Sequence, residues 1–159
     1  TMKHWLVASY KINEIKTVEI NLSNQKIDYY LPKIVTKKHN RNPKEEAMFP
    51  GYIFINTSID KYSSVSYTKG IKNIIRFGEN FAYISDDEMK SIATFEKLSK
   101  SNPIASNIEI GQEVDIIRGS FKGNIAKICS LPSKKRVGVL LHILGSQKRI
   151  EISDKDIAF

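Results

Sequence analysis

Residues that carry catalytic or metal chemistry are scarce in this chain of 159 residues. Cys129 is the single cysteine, so no intramolecular disulfide can form and a disulfide-held scaffold is excluded. The three histidines, His4, His39 and His142, lie far apart, and no pair has the spacing of a metal site. The sequence therefore predicts neither a metal nor any other cofactor.

Long apolar runs and enzyme motifs are also lacking. No segment approaches the roughly 18 to 20 apolar residues of a membrane span, and the N-terminus lacks the pattern of a signal peptide. The sequence has no nucleophile elbow, Walker phosphate loop or His-Glu-x-x-His motif. We expect a monomeric, cytoplasmic protein that does not bind membranes and is not an enzyme.

Acidic residues are fewer than basic residues in this chain. Lys and Arg number 25 against 17 for Asp and Glu, which gives a formal net charge of +8. Such an excess suits a polyanionic partner, of which nucleic acid is the simplest example. The charge balance therefore indicates a contact with nucleic acid.

A polar segment around Pro103 divides the chain. Between residues 98 and 107, small and polar residues interrupt the hydrophobic periodicity. We predict a first domain over residues 1–99, a linker over 100–108 and a second domain over 109–159, which we call the tail.

The first domain mixes strand and helix patterns. Helical periodicity follows Asn13, Asp60 and a capping box formed by Ser85 and Glu88, whereas residues 36–46 read as a polar loop. Strand-forming residues dominate 4–10, 27–35, 49–56 and 71–77. This order predicts an α+β sandwich with a mainly antiparallel sheet.

The tail has the pattern of a small β-barrel, with short apolar stretches separated by glycine and proline. The predicted strands are 113–117, 125–129, 137–143 and 149–152. A helix over residues 137–150 would include Gly138 and Gly145, each of which costs roughly 1 kcal/mol relative to Ala. We therefore expect a free, constitutive five-stranded barrel.

Two motifs resemble those of the NusG family of transcription elongation factors. The first is Phe49-Pro-Gly-Tyr-Ile-Phe-Ile55, preceded by Glu46 and followed by Thr68-Lys-Gly-Ile71. The second lies in the tail, where Gly119, Phe121 and Gly123 form the turn of a segment that looks like a KOW motif. The resemblance implies a NusG-type N-terminal α+β sandwich followed by an SH3-like KOW barrel. The same glycines would also suit a barrel that has no partner.

The resemblance also implies a partner for the first domain. In the family, an apolar patch docks on the clamp helices of the largest catalytic RNA polymerase subunit. The matching residues are Tyr52 and Phe54 on a strand, with Met89 and Ile92 on the capped helix. Tyr52 and Phe54 point away from the core face of their strand and would be exposed if no helix covered them. For Met89 and Ile92, burial beneath their own helix is the alternative.

Within the family, Arg76-Phe77-Gly78 and the short chain make the sequence resemble the specialised RfaH type more than housekeeping NusG. Proteins of that type contact the non-template DNA strand and suppress pausing and termination. Basic residues would contact the phosphates of that strand, and aromatic residues would stack on its bases. Each of these residues would also be compatible with a simple solvated surface. They are Lys11, Tyr62, Tyr67, Lys69, Lys72 and Arg76.

Glu46 and Arg136 fall where RfaH places an interdomain ion pair, which favours a masked state with a helical tail. Propensity favours the barrel instead, and the resemblance implies that a KOW barrel recruits a small-subunit ribosomal protein or Rho.

A different class of protein is also compatible with the sequence. A ribosomal or other RNA-binding protein with a KOW barrel would explain the tail and the charge, but it leaves residues 49–55 unused.

Overall fold

The structure is a computed structural model that describes residues 2–105, 128–129 and 131–152, and the side chains of these residues up to 145. The chain forms two compact units. The first comprises Thr1–Leu31 and Gly51–Asp86, and the second comprises Pro32–Pro50 and Asp87–Phe159. Residues from the middle of the predicted first domain thus belong to the same unit as the tail.

The elements combine strands and helices, as predicted for an α+β protein. The helices are α1 (Ile15–Asn24), α2 (Tyr62–Ser66), α3 (Asp86–Ser101) and α4 (Ser133–Ile152). The strands are β1 (Lys3–Tyr10), β2 (Asp28–Tyr30), β3 (Lys33–Lys37), β4 (Lys44–Ala47), β5 (Tyr52–Ser58), β6 (Ile71–Ile74), β7 (Arg76–Phe77), β8 (Asn80–Phe81), β9 (Tyr83–Ile84) and β10 (Ile104–Ala105).

The first unit is built on an antiparallel sheet with strand order β2-β5-β1-β6, and β9 also pairs with β1. Helix α1 is amphipathic, and its Val18 and Leu22 are fully buried in the same core as Ile53 and Ile55 of β5. The core face predicted for that strand is therefore confirmed. Asn13 does not cap the helix, because it lies in a short 3₁₀ turn that precedes α1.

Gly70 fixes how α1 meets the start of β6. Its φ of +95° lies in the left-handed region, and a Cβ there would come within 2.5 Å of Val18 Cγ2. Its carbonyl accepts a hydrogen bond of 2.9 Å from the backbone N–H of Lys11. Glycine in the Thr68-Lys69-Gly70 motif therefore has a structural cause, since a Cβ would be strained at this φ and would force Val18 to shift.

The second unit contains a three-stranded sheet with strand order β10-β3-β4. The prediction of a polar loop over residues 36–46 is wrong, because the β3–β4 hairpin occupies its ends. Helix α3 completes the hydrogen bonding of β3. The backbone N–H of Lys33 donates to Glu96 Oε2 at 2.6 Å, and that of Val35 donates to Ser99 Oγ at 3.1 Å.

The tail differs most from its prediction. Residues 137–143 and 149–152, which we predicted as strands, lie in helix α4, so a constitutive barrel is wrong for this conformation. The helix places Leu140, Ile143 and Leu144 on one face, and all three are buried, whereas Gly138 is exposed. Burial of this face outweighs the local preference for strands. The predicted strand at 113–117 and the KOW turn residues Gly119, Phe121 and Gly123 lie outside the described residues.

Candidate polymerase and nucleic-acid interface

The residues predicted to bind the polymerase are mostly buried. Phe54 on β5 is 1% exposed, while Met89 and Ile92 on α3 are 7% and 0% exposed. Tyr52 is partly exposed. Phe54 is therefore covered in this conformation, so the condition for its exposure is not met, and the alternative of burial holds for Met89 and Ile92. In this conformation, three of the four side chains cannot meet a partner.

Arg136 occupies an unusual position in the second unit, since it is a buried arginine at 1% exposure. Its guanidinium donates four hydrogen bonds. Nε donates to the carbonyl of Met48 at 2.7 Å, and Nη1 donates to that of Leu131 at 2.7 Å. Nη2 donates to Glu46 Oε1 at 2.8 Å and to the carbonyl of Ala47 at 3.2 Å. We call this residue and its four acceptors the Arg136 site.

The Arg136 site joins α4 to the end of the β3–β4 hairpin. Glu46, whose side chain is 32% exposed, supplies the only carboxylate, and main-chain carbonyls supply the other three acceptors. A buried cation needs hydrogen bonds and a counter-charge to offset the loss of water, and Arg136 has both. Sequence analysis identified the pair of Glu46 and Arg136 but not the carbonyls, because main-chain acceptors have no sequence signature.

Cys129 is another buried group in the second unit. Its thiol is fully buried, and this burial raises its pKa to about 12, although the positive charge of Arg136 acts in the opposite direction. A thiol with so high a pKa is almost entirely protonated near neutral pH. It is therefore an inert core residue in this conformation.

The residues predicted to bind nucleic acid all lie in the first unit. The hydrogen bond from Lys11 to Gly70 brings Lys11 close to the segment that contains Lys69. The ammonium of Lys11 also lies 3.5 Å from the carboxylate of Glu14. Tyr67, directly after α2, is 87% exposed. An exposed aromatic ring beside lysines can stack on a base while the cations contact phosphates.

A second group of these residues is centred on a ring that sequence analysis missed. The guanidinium carbon of Arg76 lies 5.6 Å from the centroid of the Phe81 ring, and the centroid of the Tyr62 ring lies 5.1 Å from that of Phe81. Arg76 and Phe81 are directly opposite each other in the β7–β8 hairpin. The turn at Gly78 was the signal that could have found Phe81, because counting across a two-residue turn pairs residues 76 and 81.

The described part of the chain gives no sign of a metal centre or a membrane span. Among its residues, no group of three or more His, Cys, Asp or Glu side chains could hold a metal ion. None of its helices is both long and apolar enough to cross a bilayer.

Comparison with known proteins decides the family. The sequence model of the family described as "Transcription termination factor nusG" matches residues 3–93, which is more than half of the chain and includes the first of the two motifs, Phe49–Ile55 with Thr68–Ile71. The chain belongs to the NusG family. NusG-family proteins are transcription elongation and termination factors rather than enzymes, and they generally interact with RNA polymerase. Membership of the NusG family, which the sequence predicted, is thus confirmed.

A solved structure is also similar to part of the chain. A solved structure titled "Domain interaction in Thermotoga maritima NusG" aligns with 76% of this chain and 75% of its own. The two sequences are 21% identical, and the TM-score is 0.43. No curated protein sequence matches the chain significantly.

Proposed function

We propose that this NusG-family protein is an RfaH-type elongation and antitermination factor. It binds the clamp helices of RNA polymerase and the non-template DNA strand, and it suppresses pausing and termination in the cytoplasm. The observation that carries the RfaH-type assignment is the Arg136 site. A buried arginine on the tail helix, bound to the Glu46 carboxylate and to three carbonyls, holds the tail in a specific packed state.

We propose that the packed tail keeps Met89 and Ile92 buried. Met89 and Ile92 lie in the same unit as α4 and are at most 7% exposed. A partner that binds the tail-open state more tightly than the closed state shifts the protein towards the open state by that difference in affinity. The closed state therefore lowers the apparent affinity for polymerase, in proportion to the small fraction of open molecules.

The tail sequence supports a second folded state after release. Val137, Val139 and Ile143 are β-branched and favour strands, and Gly138 weakens the helix by roughly 1 kcal/mol. Helix α4 is therefore held by its packing rather than by its own propensity. We propose that the released tail forms the KOW barrel, which recruits a small-subunit ribosomal protein or Rho.

The surface of the first unit supports a DNA contact. Lys11, Lys69, Lys72 and Arg76 are exposed cations, and Tyr67 is an exposed ring within the same segment of chain. Each cation that contacts a phosphate of a single strand contributes about 0.7 to the slope of log affinity against log salt. A strong salt dependence of binding is the expected signature.

A pull-down with core RNA polymerase and, separately, with ribosomes tests this function. The full chain should bind the polymerase weakly, and Arg136→Met should bind it more strongly because the tail is released. Lys135→Met is the matched control, since Lys135 is an exposed neighbour on the same helix. Capture of ribosomes alone, by parent and variant equally, would instead identify an RNA-binding protein with a KOW barrel.

A further inference from the structure

Arg76 and Tyr62 both contact the ring of Phe81, and we call this cluster of three side chains in the first unit the stack. Phe81 is its centre, with the guanidinium of Arg76 over its ring at 5.6 Å and the ring of Tyr62 at 5.1 Å, tilted by 45°. These distances lie within the ranges of cation–π and tilted aromatic pairs. The Phe81 ring is thus in contact with one cation and one aromatic ring.

The hairpin fixes the geometry of this stack. Arg76 and Phe81 are a directly opposed cross-strand pair, and the backbone N–H of Ala82 donates to the carbonyl of Ile75 at 3.0 Å. Gly78 in the turn has a positive φ of 68°, which the tight connection between β7 and β8 requires. Phe81 and Tyr62 also pack against the hydrophobic core, so the base of the stack is rigid.

Arg76 differs from its two supports because it is exposed. A guanidinium is planar and can stack on a ring through each of its faces, whereas an ammonium acts only as a point charge. Phe81 contacts Arg76 from within the unit, and solvent reaches the rest of the side chain. A base that is not paired offers a π face of matching size.

We infer that Arg76 stacks on an unpaired base of single-stranded DNA and that Phe81 is its positioning residue. This inference rests on the proposed contact with a DNA strand and deepens it, because it assigns to Arg76 a role in holding a base rather than a phosphate. Tyr62 packs against both Phe81 and the hydrophobic core, so in this inference it supports Phe81 and does not contact the strand itself.

The test is binding of the full chain to a fluorescent single-stranded oligonucleotide, measured by polarisation at several salt concentrations. Arg76→Lys keeps the charge and removes the planar group. We expect it to weaken binding by about five- to tenfold, a loss at the lower end of those for stacking residues, with an unchanged salt slope. Arg41→Lys, an identical substitution at an exposed hairpin position in the second unit, should leave the affinity unchanged.

Phe81→Leu tests the positioning role. It should weaken binding about as much as Arg76→Lys, and it should have little further effect when Arg76 is already Lys, because Phe81 acts through Arg76. A thermal melt checks that the core survives the Phe81 change. An oligonucleotide with abasic sites removes the stacking partner, and on it the parent and Arg76→Lys should bind equally.

Two results would overturn the inference. If Arg76→Lys binds the normal oligonucleotide as tightly as the parent, Arg76 is a phosphate contact and the stacking assignment is wrong, while the proposed DNA contact stands. If the parent shows no binding to single-stranded DNA, the stacking assignment and the DNA contact both fail. The pull-down with polymerase remains an independent measure of the proposed function in either case.

Discussion

Replacement of Arg136 should open the tail. Arg136→Met keeps a long side chain but removes every donor, so one carboxylate and three carbonyls lose their hydrogen bonds. Breaking a buried ion pair by removing one partner costs about 3–5 kcal/mol. Because the Glu46 side chain is 32% exposed and can regain water, we expect the lower end, about 3 kcal/mol. That energy shifts the equilibrium towards the open tail more than about a hundredfold.

Alkylation of Cys129 measures this opening. The thiol is fully buried, and burial raises its pKa to about 12. At pH 8 a thiol with that pKa is ionised in about one molecule in 10,000, against roughly one in four for a free thiol of pKa about 8.5. Only the thiolate reacts, so a haloacetamide should modify the parent slowly and Arg136→Met up to about a hundredfold faster. Circular dichroism of Arg136→Met should also show a loss of helical signal relative to the parent.

Two further variants separate the contribution of the Glu46 carboxylate to tail stability from that of the three carbonyls. Glu46→Gln keeps an acceptor for Nη2 and leaves the three carbonyls in place, but it removes the counter-charge of the buried guanidinium, so it should cost about 2 kcal/mol. Lys135→Met changes an exposed residue on the same helix and should react like the parent. Parent-like alkylation of Arg136→Met would refute the reasoning. If Glu46→Gln destabilised the closed tail as much as Arg136→Met does, the carboxylate rather than the carbonyls would provide most of the stabilisation at the Arg136 site.

Three further changes have expected outcomes. Gly138→Ala should stabilise the closed tail by about 1 kcal/mol and slow the alkylation of Cys129, because a Cβ there meets nothing within 4 Å; faster alkylation would contradict this. Gly70→Ala should lower the melting temperature of the first unit far more than Gly51→Ala, although both glycines have a positive φ. The reason is that a Cβ at Gly70 would lie 2.5 Å from Val18 Cγ2, whereas a Cβ at Gly51 would have no side-chain atom closer than 3.8 Å. Equal decreases in melting temperature would show that the positive φ alone matters. Raising the pH from 8 to 10 should destabilise the closed tail by about 2 kcal/mol. The stability that comes from burying Cys129 as a neutral thiol is complete below about pH 8.5, the pKa of a free thiol, and it is lost as the pH rises towards 12. Cys129→Ala, followed by circular dichroism, should lose this pH dependence, and retention of it would assign the effect to another group.

The sequence by itself determined the elements whose signals are local. Strand β5 follows the predicted segment 49–56, and Ile53 and Ile55 are buried as the alternation of residues requires. Helix α3 begins at Asp86, directly after Ser85 of the predicted capping box. The family was also visible in the sequence, because its motifs are short and keep their order along the chain.

Only the tertiary structure decided the state of the tail and the burial of three of the residues predicted to bind polymerase. Propensity predicts strands around Gly138, yet the segment is helical because Leu140, Ile143 and Leu144 are buried together and Arg136 finds acceptors 88 to 90 residues away. Two of those acceptors are main-chain carbonyls, which every residue possesses and no sequence pattern marks. Local preference differs between helix and strand by only about 1 kcal/mol per residue, so contacts made across the fold select the conformation.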